Sequence, residues 1–172
     1  MSIPPGASAS VILHFLFQTD QGVIDRGVWW RGTIFLTACL ALLTGIWMTL
    51  GKFAYEAQGP AARTELFDPD IFAAYAYLIV YGFCVLLISV SHYNLSAKRC
   101  RARGKPPALA GLLPLLALFS GAAHWLHPRV SESMPYWTVS LTDAGLVVVI
   151  LWNVVELGLL GSNAPSDAGG HP

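Results

Sequence analysis

The apolar residues of this chain are gathered into four long blocks, with short polar stretches between them. The blocks are Thr33–Leu50, Ile71–Ser91, Ala108–Leu126 and Trp137–Leu160. The first three contain no charged residue, and the fourth contains only Asp143 and Glu156. A helix needs roughly 20 residues to cross a bilayer, and a membrane-spanning strand would alternate apolar and polar residues, which these blocks do not do. The pattern therefore predicts four transmembrane helices.

Composition supports the same class of protein. Only 12% of the 172 residues are charged, against about 25% in a soluble domain. The length fits one domain. We therefore expect an all-α polytopic membrane protein, with a single four-helix transmembrane domain over residues 1–163. A disordered C-terminal tail is expected over residues 164–172, where Gly, Pro and Ser are frequent.

A shorter apolar stretch precedes the first block. Ser10–Gln18 is too short to span a bilayer, and it lacks the cationic start of a secretory signal. An interfacial helix lying along the membrane surface is the favoured interpretation. A partly ordered tail is the alternative.

Half of the positive charge is concentrated in one segment. Five of the ten lysines and arginines fall within Lys98–Lys105. Binding of nucleic acid is disfavoured, because the net charge is zero and no recognition motif is present. A basic loop on the cytoplasmic side agrees with the positive-inside rule and places both termini in the cytoplasm. Anionic lipid headgroups would then be its partner, at about 1 kcal/mol per cation, with a protein partner as the alternative.

Three segments resemble those of a known family. They are the segment Gln21–Trp30 before the first block, the run RCRARGK at Arg99–Lys105, and the glycine-rich segment Leu157–Asn163. Each resembles a segment of a bacterial inner-membrane family, domain of unknown function 805, and the three occur in the same order as in that family. The acid and histidine of that family's basic motif are Ala102 and Arg101 here. The resemblance implies a four-helix protein of the bacterial inner (plasma) membrane, and it implies no reaction.

The resembling segments suggest a polar cluster at the cytoplasmic mouth of the helices. Its expected members are Arg26, Arg31, Arg99, Arg103, Glu156 and Asn163. We expect an ion pair between Arg99 and Glu156 to tie helix ends together. Asn153 lies three residues before Glu156, so the two would share a helix face.

Asp143 is the second candidate, because a charge within the bilayer costs at least ~2.5 kcal/mol. It lies about two turns into the fourth block, or ~10 Å below the outer surface. One interpretation is a protonated acid, with Ser140 and Thr142 helping to solvate it. The other is a relay for protons or cations.

Metal and redox chemistry have thin support. His124 and His127 could hold zinc together with Glu132, but three donors without a second shell of hydrogen bonds are weak evidence. No cofactor, metal or disulfide is expected, and no set of side chains indicates an enzyme.

Small residues recur every four positions along the first block, at Thr37, Ala41, Gly45 and Thr49. Such a strip lets another helix approach closely. The favoured function is therefore a structural or accessory subunit acting through helix packing and a cationic cytoplasmic face, with a membrane-protein partner or a homo-oligomer. The alternative is an oligomeric transporter or channel for small solutes or ions that uses Asp143 and Asn153.

Overall fold

Helices make up nearly all of the chain that this computed structural model describes. It describes residues 11, 13–19, 21–56, 69–130 and 135–161, without the side chains of 53–56 and 129. The four α-helices are Arg26–Glu56 (α1), Pro69–Ala102 (α2), Leu112–Leu126 (α3) and Tyr136–Asn153 (α4). Two π-helices cover His14–Gln18 and Val154–Leu159, and two 3₁₀ turns cover Pro107–Gly111 and His127–Arg129. The expected tail, 164–172, lies outside the described residues.

Four helical stretches are long and apolar enough to cross a membrane: Arg26–Lys52, Pro69–Ala102, Pro107–Leu126 and Tyr136–Leu159. The prediction of an all-α protein with four membrane-spanning helices is confirmed at this level. The predicted boundary of the second helix is wrong. It does not end near Ser91 but continues to Ala102, so most of the expected basic loop is helical.

Local signals explain where the helices containing the basic residues begin and end. Asp25 starts α1 as an N-cap, because its Oδ1 accepts a hydrogen bond from the Val28 N–H at 2.7 Å. Gly104 lies two residues after the end of α2 and has a left-handed backbone conformation, with φ +69°. Its N–H donates to the Arg101 carbonyl and the Lys105 N–H donates to the Cys100 carbonyl, each at 2.9 Å. This is a Schellman motif, which favours glycine at the left-handed position.

The chain forms two compact units. The first comprises Met1–Thr33 and Val90–Pro172, and the second comprises Ile34–Ser89. In the first unit, Trp29, Leu95 and Leu157 belong to one buried apolar cluster. A Cβ on Gly158 would lie 2.8 Å from the Trp30 ring and 3.0 Å from the Trp29 ring. Glycine is needed there because rigid rings cannot yield to a larger side chain.

The second unit pairs parts of α1 and α2 through aromatic residues. The Tyr77 hydroxyl donates to the Leu43 carbonyl at 2.7 Å, and the Tyr81 hydroxyl lies 3.2 Å from that of Thr44. The Trp47 ring stacks on both tyrosines. The two tyrosine hydroxyls of α2 therefore form hydrogen bonds with a backbone carbonyl and a side-chain hydroxyl of α1.

The small-residue strip of α1 also belongs to this unit. All four of its members are exposed: Thr37, Ala41, Gly45 and Thr49. A Cβ built on Gly45 would meet nothing within 4 Å. The strip therefore presents an open face.

Candidate functional site

The site is built around backbone carbonyls that a helix end leaves unpaired. The π-helix Val154–Leu159 closes with a hydrogen bond from the Leu160 N–H to the Val155 carbonyl at 3.2 Å. Carbonyls in the last turn of a helix have no partner in that helix and carry the negative end of its dipole. Near hydrocarbon they need another donor, because an unsatisfied group there costs several kcal/mol.

Side chains supply that donor at five consecutive carbonyls. Arg99 donates through Nε to Leu157 at 3.0 Å and through Nη2 to Leu160 at 2.7 Å. Trp30 Nε1 donates to Gly158 at 3.0 Å, Arg26 Nη1 donates to Leu159 at 3.3 Å, and Arg103 Nη1 donates to Gly161. We call Arg26, Trp30, Arg99 and Arg103 the carbonyl clamp. Its cations also complement the helix dipole.

Glu156 pairs with cations other than the expected one. Its Oε1 accepts from Arg103 Nε at 2.9 Å and lies 3.0 Å from Lys105 Nζ. Arg99, the expected partner, is engaged with carbonyls instead. The guanidinium of Arg99 is therefore a cap for the helix end, and Arg103 joins that cap to the buried carboxylate.

The same stretch of α2 caps a second helix end. Lys98 Nζ donates to the carbonyls of Phe15 and Leu16, the latter at 3.1 Å, and lies 4.6 Å from the centre of the Phe15 ring. Asn94 Nδ2 donates to the Phe17 carbonyl at 2.7 Å. The N-terminal π-helix His14–Gln18 is thus fixed to α2. Its predicted place at the membrane surface stays a prediction.

The two capping pairs follow helical spacing. Asn94 and Lys98 are four residues apart, as are Arg99 and Arg103. Residues at this spacing project from the same side of a helix, so the two members of each pair can reach the same helix end. Sequence analysis missed Asn94 and Trp30, and it took Lys98 for an exposed cation. The i, i+4 spacing of donors at the end of α2 was the signal available for finding Asn94 and the role of Lys98; no comparable signal marked Trp30.

Burial changes what the basic segment can do. Lys98 is 0% exposed and Arg99 is 1% exposed, and Arg103 is also buried. These three cations are not accessible to lipid headgroups. Arg101 and Lys105 are partly exposed, and Arg31 is exposed.

Arg31, another member of the expected cluster, is exposed. Among the described residues, it is not one of the side chains that bond Glu156 or the capped carbonyls. Asn153 is buried and donates through Nδ2 to the Val149 carbonyl of its own helix at 3.0 Å. Asn163 lies outside the described residues.

Asp143 has different partners from those expected. Its Oδ1 accepts a hydrogen bond from Ser120 Oγ at 2.6 Å, and its Oδ2 lies 2.9 Å from His124 Nε2. Both partners come from α3. Ser140 and Thr142, the expected neighbours, donate instead to carbonyls of α4.

The Asp143–His124 pair is open to its surroundings, with side chains 42% and 55% exposed. The Ser120 hydroxyl donates to this carboxylate, and the imidazole of His124 lies close enough to the carboxylate to share a proton with it.

Among the described residues, His127 and the three cysteines form no comparable group. The His127 ring meets the Tyr136 ring edge-on at 5.3 Å, and Glu132 lies outside the described residues. Within the described part of the chain, no three His, Cys, Asp or Glu residues are grouped to hold a metal. Cys39, Cys84 and Cys100 are free thiols.

Comparisons with protein-family models, with curated proteins and with solved structures found no match to this chain. Its site is therefore interpreted from its own geometry.

The revised pairing of Glu156 predicts the outcome of a double-mutant cycle. Arg103→Gln and Glu156→Gln should show a coupling of about 0.5–3 kcal/mol in the free energy of unfolding, because they share a buried contact. Denaturation of the detergent-solubilised protein measures it. Arg99→Gln with Glu156→Gln is the matched comparison, expected to show weaker coupling because Arg99 makes no direct bond to Glu156 and is linked to it only through the shared network. Strong coupling of the comparison pair, with none between Arg103 and Glu156, would contradict the observed pairing.

Proposed function

We propose that this chain is a structural or accessory subunit of the bacterial inner membrane, which associates through α1 with a membrane-protein partner or a second copy. The observation that carries the proposal is the exposed strip of Thr37, Ala41, Gly45 and Thr49. Close backbone approach, rather than hydrophobicity, drives helix association in lipid, and small residues permit it. The proposal assigns no enzymatic reaction to the chain.

The charge distribution supports an orientation with both termini in the cytoplasm. Under this topology seven of the ten basic residues, including the five of Lys98–Lys105, lie on the cytoplasmic side. A contact with anionic headgroups would use the exposed Arg31 and the partly exposed Arg101 and Lys105.

Membership of domain of unknown function 805 is part of the same proposal. Its support is that all three resembling segments take part in the carbonyl clamp. The first supplies Arg26, the second supplies Arg99, and the third supplies the carbonyls of 157–161.

A second candidate function is the transport of protons or cations through Asp143. The half-exposed pair of His124 and Asp143, with the buried Ser120 bonded to the carboxylate, favours it, since ionisable residues inside a membrane often mark ion pathways. Asn153 lies ten residues further along, about 15 Å away by helical rise. If this function holds, protein-containing vesicles with a trapped pH dye should show a proton flux that Asp143→Asn abolishes and Ser140→Ala leaves intact. Equal fluxes in vesicles with and without protein would exclude it.

The accessory function predicts the effect of enlarging one glycine. Gly45→Leu should weaken assembly at least tenfold while leaving the fold intact, because the substituted side chain would project from an open face. Assembly size is measured by mass determination in mild detergent and in lipid nanodiscs. Helical content and unfolding temperature report on the fold.

Gly82→Leu is the matched control. Gly82 is equally open, but Leu78 and Leu86 flank it at four-residue spacing, so it belongs to no small-residue strip. The control should assemble like the wild type. A wild-type protein that is monomeric in lipid, or equal assembly of both variants, would contradict the proposal.

A further inference from the structure

Three helices of the first unit carry buried polar atoms that have no hydrogen-bond partner within the described residues. These are the Thr33 hydroxyl, both ring nitrogens of His92 and the amide oxygen of Asn153. His92 is 9% exposed and Asn153 is 2% exposed. Buried polar groups of native proteins are nearly always paired with protein or with ordered water, so each of these atoms requires a partner.

A layer of packed residues fixes the register of the three helices. Trp29 Nε1 donates to Ser96 Oγ at 3.3 Å, which joins α1 to α2. Leu157 lies in the same buried cluster as Trp29, and the Trp29 ring closely approaches Gly158. Trp29, Ser96 and Leu157 therefore lie at one level, which we call the Trp29 layer.

The three residues that carry these unpaired atoms lie one helical turn beyond the Trp29 layer. Thr33 follows Trp29 by four residues, and His92 and Asn153 precede Ser96 and Leu157 by four. Residues four apart share a helix face. All three steps lead away from the carbonyl clamp, because α1 leaves that end while α2 and α4 run towards it. The register thus brings the three polar side chains to one depth.

We propose that Thr33, His92 and Asn153 form a buried polar site that is completed by bound water, with more than one molecule needed to reach both ring nitrogens of His92. A neutral imidazole has one donor and one acceptor, the threonine hydroxyl can act as either, and the asparagine oxygen accepts. The Asn153 Nδ2 is already bonded to the Val149 carbonyl. Water, with two donors and two acceptors, matches this set, and buried waters make about three such bonds.

Water suits the site better than a cation does. The three residues offer one imidazole and two neutral oxygens, and no carboxylate. Glu156, on the next turn of the chain, is engaged with Arg103 and Lys105. A cation would therefore lack a counter-charge, which ions in a membrane interior require. The inference is independent of the proposed function.

Thr33→Val tests the site through the sign of its effect. With a bound water, the variant removes one of its partners and should lower the unfolding midpoint by about 2–4 °C. In a dry site the variant removes an unpaired hydroxyl and should leave the midpoint unchanged or raise it. Ser140→Ala, which removes a hydroxyl at an exposed position of α4, should change little. An unchanged or higher midpoint for Thr33→Val would overturn the proposal.

Nuclear magnetic resonance of the wild-type protein gives a second readout that does not depend on a variant folding. In nanodiscs containing protein with ¹⁵N-labelled histidine, the His92 ring N–H should show a cross-peak to a bound water. Loss of the signal in His92→Gln assigns it. A ring N–H in contact with protein protons only would also overturn the proposal.

Discussion

Unpaired carbonyls at helix ends are the constraint on which this structure depends. A helix that ends near hydrocarbon leaves its last carbonyls without water to bond them. Here two π-helices leave carbonyls at their C-terminal ends, and the terminal stretch of α2 donates to both. Asn94 and Lys98 cap one end, and Arg99 and Arg103 cap the other with help from Arg26 and Trp30. The basic segment is therefore concentrated where helix dipoles present negative charge.

This arrangement separates the internal cations from those that can meet other molecules. Lys98, Arg99 and Arg103 are buried within the first unit. Two of the features that stay exposed among the described residues are the small-residue strip of α1 and the half-exposed Asp143–His124 pair. The first favours association between helices, and the second offers a protonatable group inside a span.

The fold class could be predicted from hydropathy, because uninterrupted apolar runs of bilayer length have few alternatives to helices. The end of α2 could not be read in the same way. Its last turns are basic, and only the Schellman motif at Gly104 fixes where the helix stops. The partners of Arg99 and Asp143 depend on which helix faces which, and on a π-helix that no periodicity indicates. Glu156 was expected to meet Arg99 by charge alone, whereas backbone carbonyls compete for the same donor.

Arg99 tests the central claim most directly, because one guanidinium serves two carbonyls. The measurement is the unfolding midpoint of Arg99→Lys in lipid nanodiscs, compared with Arg101→Lys two residues away. Lysine keeps the charge but lacks the planar fork that can reach Leu157 and Leu160 together. The account predicts a clearly lower midpoint for Arg99→Lys and a nearly unchanged one for Arg101→Lys. Equal midpoints would contradict it, because charge alone would then explain the basic segment.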